Sequence, residues 1–445
     1  MLQSWCKSIF DFLHRNQSYG ATERGIRLHS KYKPTLRACY LGYITQAIVN
    51  NLVPLFFIIF QTSYHISNEM LGRLVLINFG TQIVADWLAL RYVDKVGYRT
   101  SAVVAHGFAA AGLVALGVLP LITPNPYTGL VIAVMIYAIG GGIIEVLISP
   151  IVDSLPGEAK SSAMSLLHSF YCWGQMGVVF VTTVLMWLLG TGIWFILPIL
   201  WALVPIWNLF RFMKVPLLPP VAEHERIPLR SLLGNHAYLI ALVLMLCAGA
   251  SELTMSQWSS LFAEKGLLLP KLMGDLLGPC LFAVFMGVGR TLHGVMGHRI
   301  HLRGAMMVTA ALSVVCYAVT IFAPFPILSL MGCAFCGFAV SLMWPGTFSL
   351  TAAAFPKGGT AMFGLMAVFG DIGGSVGPWL AGFISDLAQQ SDRMTAFAAR
   401  WSLMPDQVGL KAGLLATTVF PVVMLLGLAM FNPRFKSPAS HDAIK

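Results

Sequence analysis

Charge is what this sequence has least of. Only 10% of its 445 residues are Asp, Glu, Lys or Arg, and the acids number 18. A soluble domain dresses its surface with roughly 25% charged residues. With 57% hydrophobic residues, the chain reads as an integral membrane protein whose length lies mostly in lipid. Other absences narrow the function. No G-x-x-x-x-G-K-[ST] stretch occurs, so the chain has no P-loop of its own to draw on ATP. No His, Asp or Glu set has the spacing of a catalytic metal site. Cys333-x-x-Cys336 lacks a second Cys or His pair, so the cysteines read as small packing residues. Gly373-Gly374-Ser375-Val376-Gly377 matches the G-x-S-x-G nucleophile pattern, but it falls inside an apolar run where no strand-to-helix turn can form. The glycines read as close helix packing instead. Neither an enzyme, a metal protein nor a cofactor carrier is expected.

The net charge of +10 does not make a nucleic-acid surface, because lipid-length segments separate the basic residues. Nor do repeated carbonyl loops or charged rings suggest a channel filter. The first apolar stretch is broken by Lys7, Asp11 and Arg15 and has no small-residue cleavage site, so no cleaved leader is expected. Leu2, Trp5, Cys6, Ile9, Phe10 and Leu13 follow helical spacing, which fits either a short amphipathic helix on the membrane or a frayed tail.

A membrane span needs about 20 mostly apolar residues. Twelve candidates follow one another at 38–60, 71–93, 101–122, 128–153, 163–189, 192–213, 236–262, 274–298, 304–323, 326–353, 360–388 and 409–431. The expected architecture is an all-α membrane protein of twelve transmembrane helices in two pseudo-symmetric six-helix halves. Residues 1–36 form an N-terminal segment, 37–213 the first half, 214–235 a linker, 236–432 the second half and 433–445 a tail. Placing both termini and the linker on one side collects 21 of the 28 Lys and Arg there, against 6 opposite and Arg290 inside span 8, and the positive-inside rule makes that side cytoplasmic. The halves also echo each other. "VGYR" at 96–99 returns as "MGHR" at 296–299, and Ser149-Pro150 with Ala163-Met164 returns as Trp344-Pro345 with Ala361-Met362. Repeated halves place a binding site between them, near the midplane.

Polar residues within the spans nominate that site. A carboxylate at mid-bilayer costs about 2.5–3.5 kcal/mol on insertion scales, so it is seldom idle. Glu145 is the only charge in "IGGGIIEVLISP", and Gly140, Gly141 and Gly142 beside it let a helix or ligand come close. Gln46 and Asn50 share a face of span 1, and Asn78, Gln82 and Asp86 form a stripe along span 2. Span 5 carries His168, Tyr171, Trp173 and Gln175. Because spans 4 and 5 form a hairpin, Glu145 and His168 are expected at similar depth, where they could share a proton or hold a hydroxyl-bearing ligand. Span 7 adds Glu252, Gln257 and Trp258, and span 8 adds Arg290 and His293. A lone intramembrane arginine seeks a carboxylate, and Asp371 of span 11 is the expected partner of Arg290.

These features carry a family resemblance. "RYVDKVGYR" after span 2 is similar to the loop signature of the major facilitator superfamily, with Asp94, Lys95, Gly97 and Arg99 matching. "EVLISP", "LLHSFYCWG" and "WPGTFSL" resemble the fucose/glucose–proton symporter group. Glu145 matches that group's span 4 glutamate, while Ser149 stands at its asparagine. Asn50, Asn51 and Leu52 match its span 1 run, without the aspartate that goes with it there. The resemblance implies secondary active transport of a small polar organic solute, a sugar or sugar-like compound, coupled to protons, by a monomer in the plasma (inner) membrane. It implies substrate or proton sites at Glu145, His168, Gln46, Asn50, Tyr171, Gln257 and Trp258. It implies gates at Asp94, Lys95 and Arg99; on residue chemistry alone, Arg290 and Asp371 could form a further gate or simply an internal ion pair. Efflux of amphipathic compounds and a transport-inactive sensor on the same fold are the alternatives.

Overall fold

The computed structural model describes residues 30–66, 68–156, 160–219, 229–296, 300–400 and 403–431. The amphipathic stretch before residue 14, the charged middle of the linker, most of "MGHR" and the tail lie outside the described residues. So does the side chain of Asp94. Among the described residues every regular element is a helix.

Ten helices are long and apolar enough to cross a membrane. They are span 2 (Asn68–Val96), span 3 (Tyr98–Ile122), span 4 (Pro126–Ser154), span 5 (Lys160–Leu189) and span 7 (His236–Leu261) in their helical parts. Span 8 ends in Leu281–Met296, followed by span 9 (Leu302–Phe322), span 10 (within Pro326–Ala354), span 11 (Gly359–Gln389) and span 12 (within Gln407–Met430). Ile196–Phe212 is a shorter apolar helix and supplies span 6. Span 1 is Lys33–Asn51, a 3-10 turn at Val53–Phe56, and Phe57–Tyr64. The interruption contains Pro54, which has no N–H to donate and whose ring crowds the carbonyl four residues earlier. Twelve spans result, as the apolar runs require.

The connections follow local chemistry. Asn125 and Asn235 cap spans 4 and 7, each side-chain oxygen accepting from the backbone N–H two residues on, at 2.9 Å in both cases. Gly97 joins spans 2 and 3 with a φ of 90°, which a side chain would strain. Arg99 donates to the carbonyls of Phe212, Met213 and Val215 at the end of span 6, at 2.6–3.0 Å. Arg303 does the same to Leu428 and Ala429 at the end of span 12, at 2.9 and 2.8 Å. A cation on exposed C-terminal carbonyls is favourable at either helix end, and its recurrence is a structural mark of the repeat.

Within the first half, span 3 packs on spans 4 and 6, span 2 on span 4, and span 1 on span 5. Within the second, span 11 packs on spans 7 and 12, and span 10 on spans 8 and 9. Small residues permit the closest approaches. A Cβ added at Gly373 would lie 1.9 Å from the carbonyl oxygen of Leu246, and one at Gly249 2.1 Å from that of Gly370. The glycines of the G-x-S-x-G match are therefore helix-packing glycines. The halves meet where span 5 packs on span 8 and span 2 on span 11, with spans 4 and 11 and spans 5 and 10 also in contact. The repeat exchanges the first two pairings with each other.

Candidate functional site

The seam between the halves is where the buried polar residues gather. Glu145 is 8% exposed on span 4. Its three upstream glycines each admit a different neighbour. A Cβ at Gly140 would strike the carbonyl of Ala105 on span 3, one at Gly141 would meet the side-chain oxygens of Gln46 and Gln82, and one at Gly142 would stand 2.7 Å from Oδ1 of Asp86. The glycine run thus draws spans 1, 2 and 3 against span 4.

Amides of spans 1 and 2 then form a chain that ends on Glu145. Asn50 Oδ1 accepts from Asn78 Nδ2 at 3.1 Å and from Gln82 Nε2 at 2.8 Å. Gln46 Nε2 donates to Gln82 Oε1 at 2.7 Å and to Glu145 Oε2 at 2.9 Å. The i, i+4 pair on span 1 and the span 2 stripe are one network. Transmembrane hydrogen bonds of this kind average about 0.6 kcal/mol each, with a maximum near 1.7, so their main effect is to orient. Gln46 is held with its amide N–H toward the carboxyl.

His168 lies on a second, separate chain. Its Nε2 is 3.2 Å from the hydroxyl of Tyr43, which is 2.9 Å from Ser149 Oγ. The imidazole also meets the Tyr43 ring edge-on, with centroids 4.6 Å apart, and tilts against Phe348 of span 10. Glu145 and His168 thus share no hydrogen bond: Glu145 accepts from an amide of span 1, and His168 is bonded to a phenol of span 1. Tyr171, one turn further along span 5, accepts from Asn51 Nδ2 at 3.2 Å.

Arg290 corrects a sequence expectation. Its partner is Glu252 of span 7, with Nη2 and Oε2 2.5 Å apart, and not Asp371. Three further donors are engaged. Nε reaches the carbonyl of Ser341 at 3.0 Å, and Nη1 reaches the carbonyl of His168 at 3.2 Å and Cys172 Sγ at 3.3 Å. The Ser341 acceptor has a sequence cause: Pro345, four residues on, has no N–H to give it. Ser165 Oγ of span 5 donates back to the Arg290 carbonyl at 2.8 Å. The arginine therefore ties span 8 to spans 5, 7 and 10, and spans both halves.

Asp371 of span 11 instead lies beside Asp86 of span 2 on helices that pack together, and both oxygens of Asp86 and Oδ2 of Asp371 receive no hydrogen bond among the described residues. Both residues are essentially inaccessible, at 1% and 0% exposure. Gln175 Nε2 of span 5 adds a further crossing bond, 2.8 Å to Ser256 Oγ of span 7.

Other predicted residues sit apart from this layer. Trp258 donates its indole N–H to the carbonyl of Pro378 at 3.1 Å and borders a small gap with Phe262, Ala381, Leu410 and Leu414, so it packs among spans 7, 11 and 12 inside its own half. Gln257 is half-buried next to it. Lys95 is exposed, and the Arg99 bonds stay within the first half. Gln82, Asp86 and Glu252, noted in the sequence as polar span residues, and Ser149, noted at the family's asparagine position, belong to the layer although none was assigned a site role. Tyr43 was missed, because a tyrosine in an apolar run gives no signal of its own.

The Major Facilitator Superfamily model matches residues 39–378. Two solved structures are similar to this chain. One is a transporter of that superfamily, FucP, in the outward conformation, at 16% identity and a TM-score of 0.68, covering 90% of this chain and 99% of the other. The second is a variant of the E. coli fucose:proton symporter, FucP, at 15% identity and a TM-score of 0.69, with the same coverage. No curated protein matches the chain in sequence.

Proposed function

Because this chain belongs to the major facilitator superfamily, we propose that it is a secondary active transporter of a small polar organic solute, a sugar or sugar-like compound, driven by protons. The observation that carries the reading is the buried layer at the seam. Glu145 is set there at the end of an amide chain, between halves held together by few helix pairs. Amide and hydroxyl groups of Gln46, Asn50, Tyr171 and Tyr43 match the donors and acceptors of a polyhydroxyl solute. Glu145 supplies a carboxyl that can take up a proton or accept from a solute hydroxyl.

In this reading residues 37–213 and 236–432 rock against each other, with 214–235 as a cytoplasmic linker and both termini on the cytoplasmic side of the plasma membrane. Arg290 is the cross-seam tie on the span 5–8 side. The similarity of the fold to a fucose:proton symporter supports the solute class, and the absence of a P-loop fits energy drawn from a gradient. The test is counterflow of labelled sugars and polyols in proteoliposomes, with and without an imposed pH gradient. Counterflow with gradient-driven accumulation supports the reading. Counterflow that ignores the gradient removes the proton, and uptake restricted to amphipathic compounds turns the assignment to efflux.

A further inference from the structure

We propose that Asp86 and Asp371 hold a proton between them, and that this shared proton fastens span 2 of one half to span 11 of the other. Two carboxylates offer only acceptors, so a hydrogen bond between them requires a proton on one. The contact crosses the seam: span 2 belongs to the first half, span 11 to the second, and the two helices pack together. No other side chain or backbone donor among the described residues reaches either oxygen of Asp86 or Oδ2 of Asp371. With exposures of 0% and 1%, neither carboxyl can turn to bulk water while the helices touch. Gly142 of span 4 leaves Asp86 room on its remaining side.

Among the described residues, no cation hydrogen-bonds to either oxygen of Asp86 or to Oδ2 of Asp371. The charged group that faces the pair from span 4 is Glu145, another acid, which bears on both aspartates. Glu252 of span 7 is engaged by Arg290. His106 of span 3 is turned to the Ala102 carbonyl and to Asn208. Arg91 and Lys95 of span 2 are exposed, and Lys411 of span 12 is half-buried. When the shared proton leaves for water, two anions remain in contact in a medium of low polarity, and they repel. The seam is then stable with the proton and driven apart without it. Titration belongs to the pair and not to either residue.

This deepens the transport reading and rests on it only for the purpose the switch serves. The test uses the full chain in lipid nanodiscs with spin labels at Tyr92→Cys on span 2 and Lys357→Cys before span 11, both exposed positions. Cys6→Ser removes the one cysteine outside the described residues, and the other seven are buried. The expected result is a label distance that lengthens as pH rises. In Asp86→Asn or Asp371→Asn the distance stays short at every pH, because the amide donates to the remaining carboxyl. In Glu145→Gln the lengthening persists. A wild-type distance indifferent to pH, asparagine variants that titrate like wild type, or a transition lost only in Glu145→Gln would each overturn the proposal. A distance that follows sodium at fixed pH would overturn it in favour of a cation site. Should either asparagine variant fail to fold, the other reports from the opposite half. Infrared difference spectra of the wild type supply an independent reading: a neutral carboxyl band lost on alkalinisation supports the pair, and its absence refutes it. A protein that passes these tests yet exchanges no solute in counterflow loses the transport assignment and keeps the shared proton.

Discussion

Removing Glu252 isolates a heavily bonded buried charge, Arg290. Arg290 is 2% exposed and the Glu252 side chain 7%, so Glu252→Ala leaves a guanidinium with no counter-charge in direct contact. Breaking a buried pair from one side costs about 3–5 kcal/mol. Three acceptors remain on Arg290, the Ser341 and His168 carbonyls and Cys172 Sγ, which favours the lower end, about 3 kcal/mol. Glu252→Gln keeps an acceptor within reach of Nη2 and loses only the charge assistance, about 1 kcal/mol. Removing both charges with Glu252→Leu and Arg290→Met should recover much of the loss, since apolar replacement of a buried pair is often neutral. A thiol-reactive dye reads the unfolding, because seven cysteines are buried and become reactive as the spans separate. The predicted order of melting temperatures is wild type, Gln variant, Ala variant, with Ala lower by on the order of 5 °C. The double variant should lie above Glu252→Ala. An Ala variant that melts with the wild type, or a double variant below both singles, would refute the energetic role given to the pair.

Two further outcomes test the frame around the site. Gly373→Ala places a methyl 1.9 Å from the Leu246 carbonyl, and overpacking of this kind costs about 1–3 kcal/mol; a lowered melting temperature in the same dye assay is expected, and an unchanged one would mean that spans 7 and 11 can slide apart freely. A cysteine introduced at Glu223 in the linker should react with an impermeant thiol reagent only after the membrane is opened, as the distribution of basic residues demands. Labelling of intact cells would invert the topology.

The fold was legible because its main determinant, apolar length, is written locally. Even the departures have local causes: Pro54 cuts span 1, and Pro345 frees the carbonyl that Arg290 occupies. The site was legible where one residue stood out from its run. Glu145 is a lone acid among glycines, and Gln46 and Asn50 share a helix face. Partnership was not legible, because it depends on how each helix is rotated about its axis and on which neighbour it meets. Arg290 and Asp371 both needed a partner on sequence grounds, yet spans 7 and 2 supplied those partners, not each other. Depth suggested that Glu145 and His168 could meet, but the imidazole is turned to Tyr43 and the carboxyl to Gln46. Trp258 shows the limit for aromatics, since its spacing cannot tell a cavity wall from a helix–helix contact inside one half.

The central claim, that Glu145 couples a proton to solute movement, is tested most directly by Glu145→Gln in proteoliposomes. The amide keeps the shape of a protonated carboxyl and can still meet Gln46, while it can neither take up nor release a proton. The account predicts that uphill accumulation driven by a pH gradient is abolished and that counterflow exchange persists near the wild-type rate. Accumulation at the wild-type level in Glu145→Gln would contradict it.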